Sequence, residues 1–162
     1  MKKFLTIIPL VILLCFTFGC QQGEEVAEEP LETNQNADEA AIRETMKKSF
    51  EGLNKHDIET HLSTLIEDYE TWSGKPGLEA REKRLTEVWR QHKNVQYNVV
   101  EEISINFISP HVAIYRARVE ITGGVKKDGT PMPSDELQGA WILTIKGGKW
   151  LIAAWFTRPI EE

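Results

Sequence analysis

The 162-residue chain has very little cysteine: its two thiols belong to Cys15 and Cys20, and none follows. Both lie within or directly after the apolar stretch at the start of the chain. A domain formed by the later residues therefore has no disulfide framework, no cysteine nucleophile and no cysteine-type zinc site. Its hydrophobic core alone must stabilise it, and about 125 residues with five tryptophans can form such a core.

Basic residues are also few, with 19 Lys and Arg against 25 Asp and Glu. Without Lys2 and Lys3, which belong to the N-terminal stretch, 17 basic residues remain and the net charge is −8. Such a surface repels phosphate backbones, so nucleic acid is not expected as a partner. No pair among the four histidines has the i, i+4 spacing of two metal ligands on one helix face. We therefore expect neither a metal site nor a cofactor.

The long hydrophobic run of the chain lies between Phe4 and Phe18, after a basic Met-Lys-Lys start, and a glycine then directly precedes Cys20. This order is typical of a secretory signal, and it resembles the lipobox of bacterial lipoproteins. The resemblance implies a signal peptide at 1–19, acylation of Cys20, and an extracytoplasmic lipoprotein held in the cell membrane or an outer membrane. Two alternatives remain open: a secretory signal with an incidental Cys20, and an uncleaved anchor, for which roughly 20 apolar residues are usual.

Residues 20–37 are acidic and polar, contain no aromatic side chain and show no sustained apolar period. This composition predicts a disordered tether between the membrane and a folded domain. The folded domain is predicted to occupy residues 38–162, a usual size for one domain.

The first half of this domain has helical periodicity. Apolar residues at three-to-four spacing predict an amphipathic helix over about 38–53. Asp57 is placed to cap a second, shorter helix, with Leu65 on its apolar face. A brief extended piece is predicted at 69–72 and a third helix at 78–92.

The second half alternates apolar and polar residues with the period of a β-strand. Strands are predicted at 95–107, with a bulge at Glu101, and at 112–122. A final hairpin pairs 137–145 with 150–156 across a Gly-Gly turn. Helices followed by antiparallel strands indicate an α+β fold in which the helices pack on one face of a sheet.

The order of these elements and three local strings resemble the SnoaL-like and ketosteroid-isomerase-like superfamily, also called nuclear transport factor 2-like. The strings are Leu53-Asn54-Lys55-His56-Asp57, Leu65-Ile66-Glu67-Asp68 and Gly147-Gly148-Lys149-Trp150-Leu151-Ile152-Ala153-Ala154. The resemblance extends over about residues 38–159. It implies a cone in which a strongly curved mixed sheet wraps three N-terminal helices and leaves an apolar pocket at its open end.

The last predicted strand has apolar side chains in both of its phases. Leu151, Ala153 and Trp155 occupy one phase, and Trp150, Ile152 and Phe156 occupy the other. Because helices cover only one face of a sheet, the second apolar face needs another cover. Dimers built on the outer sheet face are common in the superfamily, and together these points predict a homodimer.

The catalytic positions of ketosteroid isomerases are not filled in this chain. In the superfamily these positions hold a tyrosine on the first helix, an aspartate base after the second, and a carboxylic acid on a late strand. The resemblance places them at Ser49, Gly74 and Trp141, which can neither remove a carbon-bound proton nor donate as a buried acid. This favours a protein without catalytic residues over an isomerase.

Aromatic residues are the clearest sign of a site. Trp72, Trp89, Tyr115 and Trp141 are our candidate ligand-binding residues, because the superfamily's pocket is lined from the elements on which they lie. Core packing is the ordinary alternative for each of them. The favoured function is a membrane-tethered domain that binds a small apolar molecule without converting it.

Two other functions remain open from the sequence. One is an isomerase, dehydratase or hydrolase that uses His61, Tyr115 or Glu101 in the cone pocket. The other is a protein-interaction module that works through the outer face of the sheet. An open cavity with a buried polar group would favour the ligand-binding domain or the enzyme, and a filled cone would favour the interaction module.

Overall fold

The computed structural model of the protein describes residues 35–71 and 77–160. Within these ranges the elements are helix α1 (Gln35–Lys55), helix α2 (Ile58–Leu62), strand β1 (Leu65–Thr71), helix α3 (Leu78–Gln91) and strands β2 (Gln96–Ser109), β3 (Val112–Thr122), β4 (Asp135–Lys146) and β5 (Lys149–Pro159). The predicted α+β class is confirmed. The predicted signal at 1–19, Cys20 and Trp72 lie outside the described residues, and α1 begins within the last part of the predicted tether.

The strands form one mixed sheet in the order β1-β5-β4-β3-β2. β1 runs parallel to β5, and the other neighbours pair antiparallel. The sheet is strongly curved without closing into a barrel, and the three helices come from the N-terminal part of the chain. The predicted cone is therefore confirmed. Of the helices in the described part of the chain, none is both long and apolar enough to span a bilayer.

Strand β1 begins earlier than its apolar pattern indicates. The sequence placed Leu65 on the second helix, and this prediction was wrong. The backbone N–H and the hydroxyl of Thr64 both donate to the carbonyl of His61, at 3.1 and 2.6 Å, which closes α2. The carbonyl of Thr64 then accepts from the N–H of Ile152 at 2.8 Å, which joins the chain to β5 one residue before Leu65.

Several bulges or irregularities shift the register of the sheet, and the sequence indicated one of them. The predicted bulge in β2 is confirmed, because the register against β3 shifts between Val99 and Glu101. Further shifts occur later in β2 and in β1. In β5, Ile142 pairs with Ala154 but Leu143 pairs with Ile152, so that Ala153 is the extra residue.

The bulge in β5 corrects the two phases assigned from the sequence. Trp150 and Ile152 before the bulge and Trp155 after it all face the concave side of the sheet. Leu151 and Ala154 face outward. The grouping of Trp155 with Leu151, and of Phe156 with Trp150 and Ile152, was wrong because strict alternation fails at an inserted residue.

The hydrophobic core lies between α1 and the concave face. Ile42 and Met46 from α1 pack against residues of β1, β4 and β5, including Tyr69, Leu143 and Ile152, and all five are at most 2% exposed. This packing holds α1 against the sheet and leaves the space beside α2 and α3 for a site.

Asp57 caps helix α2 as predicted. Its Oδ1 accepts from the backbone N–H of Thr60 at 3.0 Å, and its Oδ2 accepts from the Thr60 hydroxyl at 2.7 Å. The bonds from Thr60 lower the pKa of the Asp57 carboxyl.

Replacement of Asp57 by Ala is expected to lower the Tm by about 3–6 °C, because an N–H of α2 loses its acceptor. Thermal melts followed by circular dichroism measure the change. Asp57→Asn is the matched control, since an amide oxygen keeps the acceptor and should melt within about 1–2 °C of the wild type. An alanine variant that melts with the asparagine variant would show that the cap does not stabilise the domain.

Candidate functional site

A cavity of about 230 Å³ lies between the helices and the concave face of the sheet. Its apolar wall combines side chains of α1, α3 and the strands, among them Phe50, Leu85, Tyr97, Trp141 and Trp155. The cone is therefore not filled by its own side chains.

Two tryptophans form the sheet side of this cavity. Trp141 of β4 and Trp155 of β5 are paired across the strands and stack with their ring centroids 6.4 Å apart and their planes 15° from parallel. Phe50 of α1 contacts Trp141 edge-on, with centroids 5.6 Å apart. The Trp141 ring lies over Gly139, where a Cβ would be 2.1 Å from the indole carbon Cη2, so glycine at this position makes room for the ring.

Three polar side chains form a connected chain at the helical side of the cavity. Arg81 Nε donates to His61 Nε2 at 3.1 Å, and His61 Nδ1 lies 3.0 Å from Ser49 Oγ and 3.3 Å from the Ser49 carbonyl oxygen. All three residues are at most 8% exposed and line the cavity. Because Nε2 accepts from Arg81, the proton of the neutral imidazole is on Nδ1 and is donated to Ser49.

Gly52 allows α1 and α2 to approach closely enough for this chain. A Cβ at residue 52 would lie 2.6 Å from the backbone nitrogen of His61. The backbone N–H of Asp57 also donates to the Gly52 carbonyl at 2.8 Å, which ties the start of α2 to α1. The imidazole of His61 is thereby held directly beside Ser49.

Burial sets the charges of these groups. It lowers the pKa of His61 to about 3, and the positive charge of Arg81 acts in the same direction. Burial raises the pKa of Tyr69 to about 12. Arg81 and the nearby Trp155 N–H both act to lower this pKa. The Trp155 N–H lies outside hydrogen-bond geometry. At neutral pH the cavity therefore holds a neutral histidine, a neutral tyrosine and the Arg81 cation.

The same arrangement of helices and curved sheet occurs in solved structures of low sequence identity. A hexachlorocyclohexane dehydrochlorinase (LinA-type3) from Novosphingobium barchaimii is 16% identical, with a TM-score of 0.70 over 78% of this chain and 89% of its own. A nuclear transport factor 2-like superfamily protein from Salmonella enterica is 12% identical, with a TM-score of 0.67 over 79% and 94%. An uncharacterised protein with a cystatin-like fold from Caulobacter vibrioides is 16% identical, with a TM-score of 0.67 over 77% and 91%.

The chain has the nuclear transport factor 2-like fold. No protein-family model matches it, and no curated protein matches it in sequence. The neighbours of this nuclear transport factor 2-like cone include enzymes and uncharacterised proteins. The shared fold therefore does not specify a reaction.

The four aromatic candidates have different positions in the nuclear transport factor 2-like cone. Trp141 lines the cavity. Tyr115 is 4% exposed and packs edge-on against Trp141 at 5.8 Å, outside the lining. Trp89 stacks on His56 at 4.8 Å and does not line the cavity either. Trp72 lies outside the described residues, so the structure assigns it no position.

Sequence reasoning missed Trp155 and Arg81 as cavity residues. Trp155 was hidden by the inserted Ala153, which moves the residues after it to the other phase of the strand. Arg81 occupies the apolar stripe of α3 together with Leu78, Leu85 and Val88. A charged residue at helical spacing among apolar ones was the signal that could have identified it.

The three residues considered for catalysis do not come together in the cone. His61 lines the cavity, but Tyr115 does not, and Glu101 is exposed beside Arg118, whose Nη1 is 3.6 Å from the Glu101 carboxylate. The lone pair of His61 Nε2 is already occupied by Arg81. In the described ranges, no three His, Cys, Asp or Glu side chains are grouped as metal ligands.

Proposed function

We propose that the protein is a membrane-tethered, extracytoplasmic domain whose cone cavity binds a small organic molecule and does not convert it. The cavity of about 230 Å³ is the observation that carries this proposal. An apolar cavity of about 150 Å³ is large enough for benzene, so this one has room for a single ring with a small substituent. Burial against Trp141 and Trp155 would supply roughly 25 cal/mol per Å² of apolar area.

The state of His61 supports binding over catalysis. A general base needs a free lone pair and a pKa near the working pH. The His61 pKa of about 3 is far below that range, and Arg81 already donates to its Nε2. Ser49 is likewise only hydrogen-bonded to a histidine that cannot accept its proton.

Tryptophan fluorescence tests this function directly. We expect a set of single-ring compounds to include ligands that change the emission of Trp155, and product analysis after incubation to recover them unchanged. The change should be reduced in Trp155→Phe, lost when Trp141 and Trp155 are both replaced by Phe, and retained in Trp89→Phe, a matched control because Trp89 lies outside the cavity lining.

Two other results would favour the alternatives. Turnover that disappears in His61→Gln would establish an enzyme. The absence of any ligand would favour the interaction module.

The membrane tether is the second part of the proposal. It is supported by the apolar run before Cys20 and by the acidic, polar composition of the residues that follow it. Cys20→Ser is expected to move the protein from the membrane fraction to the soluble fraction and to abolish labelling by a radioactive fatty acid. Mutation of the neighbouring Gln21 to Ser should change neither. Unaltered membrane fractionation of the Cys20 variant would rule out the lipid anchor.

A homodimer through the outer face of the sheet is proposed as the assembly. The half-buried Ile114 and Ile142 are paired there across β3 and β4, beside Leu151 and Ala154 of β5. Sedimentation of the Cys20→Ser protein at micromolar concentration is expected to give twice the monomer mass. Ile142→Glu should give a monomer, because a carboxylate is costly to bury at an apolar interface. A protein with the unaltered outer face that sediments as a clean monomer would exclude the dimer.

A further inference from the structure

Arg81 is a buried cation without a counter-ion in the described part of the chain. Its side chain is 8% exposed. Within residues 35–71 and 77–160, no Asp or Glu oxygen lies within 4.0 Å of its nitrogens. The titratable groups that act on it are Tyr69, Tyr97 and Arg84, of which the tyrosines are neutral at neutral pH and Arg84 is itself positive. Because an unpaired charge is costly to bury, such a residue in a structural role is normally paired.

The terminal nitrogens of this guanidinium, Nη1 and Nη2, are available to a ligand. Nε already donates a hydrogen bond to His61, and within the described ranges Nη1 and Nη2 make no hydrogen bond. Arg81 Cζ also lies 5.6 Å from the centroid of the Trp155 ring, which fixes the guanidinium beside the indole. The two terminal nitrogens form a fork that matches the two oxygens of a carboxylate.

The Trp155 indole contributes its ring to the cavity and not its N–H. Its Nε1 is buried and has no hydrogen-bond partner among the described residues, and the Tyr69 hydroxyl lies near it outside hydrogen-bond geometry. Arg81 lines the same cavity, and its terminal nitrogens are not among the buried unpartnered atoms of the described residues. The free end of the guanidinium therefore favours an acceptor with negative charge.

We propose that the ligand is a single-ring aromatic monocarboxylate whose two oxygens are bound by the terminal nitrogens of Arg81. This rests on the proposed function, in which the cavity binds a small molecule. The ring of the ligand lies against the indoles of Trp141 and Trp155. Arg84, at the edge of the same cavity, adds positive charge along the way in.

A monocarboxylate fits this site better than the other candidates. A purely apolar molecule would exclude water from Arg81 and leave its charge unpaired, at a cost to binding. A phosphate dianion would bring two charges to one buried guanidinium. One carboxylate neutralises one cation, and the remaining volume of the cavity is apolar.

Calorimetric titration of the full-length protein with benzoate and benzamide tests the proposal. The two probes share the ring, and benzamide lacks the charge. Benzoate is expected to bind about 10- to 100-fold more tightly, the range of a charge-assisted hydrogen bond to a buried cation. Arg81→Met should remove that difference and leave benzamide binding within about 3-fold of the wild type. Arg90→Met is the matched control, because Arg90 lies on the same helix, is exposed and pairs with Glu87; it should change neither affinity.

Each other result decides against the proposal in a distinct way. Equal affinities for benzoate and benzamide that Arg81→Met does not alter would overturn the carboxylate and leave the small-molecule function standing. Failure of both probes to bind, while another single-ring compound still changes the tryptophan emission, would overturn the carboxylate alone; failure of every compound would overturn both proposals. Inorganic phosphate that binds more tightly than benzoate would replace the carboxylate by a phosphate. If Arg81→Met does not fold, the comparison of the two probes on the wild type still decides, and Arg81→Lys, which keeps the charge without the fork, should lose most of the preference.

Discussion

Replacement of Trp150 by Ala is expected to lower the free energy of unfolding by about 3–5 kcal/mol, the largest single-residue effect that we predict. Trp150 is 4% exposed at the start of β5, and its ring contacts Phe107 edge-on with centroids 5.9 Å apart. Its Nε1 donates to Asp38 Oδ1 of α1 at 2.9 Å, and its carbonyl accepts from Thr45 Oγ1 at 2.9 Å. The side chain therefore joins the first helix to the last strand.

Urea unfolding at neutral pH measures this loss. Trp150→Phe is the matched control: it keeps most of the apolar contact but leaves Asp38 without its donor, so about 1–2 kcal/mol should be lost. Because domains are stable by only about 5–15 kcal/mol, the alanine variant is expected to be close to unfolding. A Trp150→Ala protein with the wild-type midpoint would contradict the packing role.

Acid is expected to destabilise the protein through His61. In the unfolded chain this histidine has an ordinary pKa of 6.5, whereas in the folded protein burial and Arg81 lower the pKa to about 3. Below pH 6.5 the unfolded state therefore binds a proton that the folded state does not. The contribution of neutral His61 to the free energy of unfolding is fully present above pH 6.5. It is lost as the pH falls toward 3, by at most about 1.4 kcal/mol per pH unit.

Urea titrations at several pH values between 7 and 3.5 test this dependence. Carboxylates also titrate in acid, so the result is the difference between the wild type and His61→Gln, whose amide oxygen can still accept from Arg81. The variant should lose less stability than the wild type between pH 6.5 and 4. Parallel curves for the two proteins would show that His61 remains protonatable in the folded state.

The regular elements could be predicted because their signals are local. The apolar stripe of α3 and the alternation in β3 depend only on neighbours along the chain. The bulge at Glu101 and the cap at Asp57 were visible for the same reason, since each changes a short pattern. The strand at Leu65 was missed because its pairing partner, Ile152, is 87 positions away in sequence and no local pattern reports it.

The polar chain of the site could not be predicted in this way. Ser49, His61 and Arg81 come from three different helices, and only Arg81, a charged residue in an apolar stripe, has an unusual context in the sequence. Ser49 was interpreted only as the replacement of a catalytic tyrosine. Its contact with His61 depends on the close approach of α1 and α2 at Gly52, a property of the packed structure.

The sequence by itself determined the α+β class, because periodicity acts along the chain; the curved sheet and the replaced ketosteroid-isomerase positions followed only from the resemblance to the superfamily. Only the tertiary structure decided which side chains meet. It turned Trp155 into the cavity through an inserted residue in β5, placed Trp89 and Tyr115 outside the lining, and buried Arg81 beside His61. The physical reason is that a charge, a ring and a hydrogen-bond partner acquire their roles from burial and distance, and both are set by contacts between residues far apart in the chain.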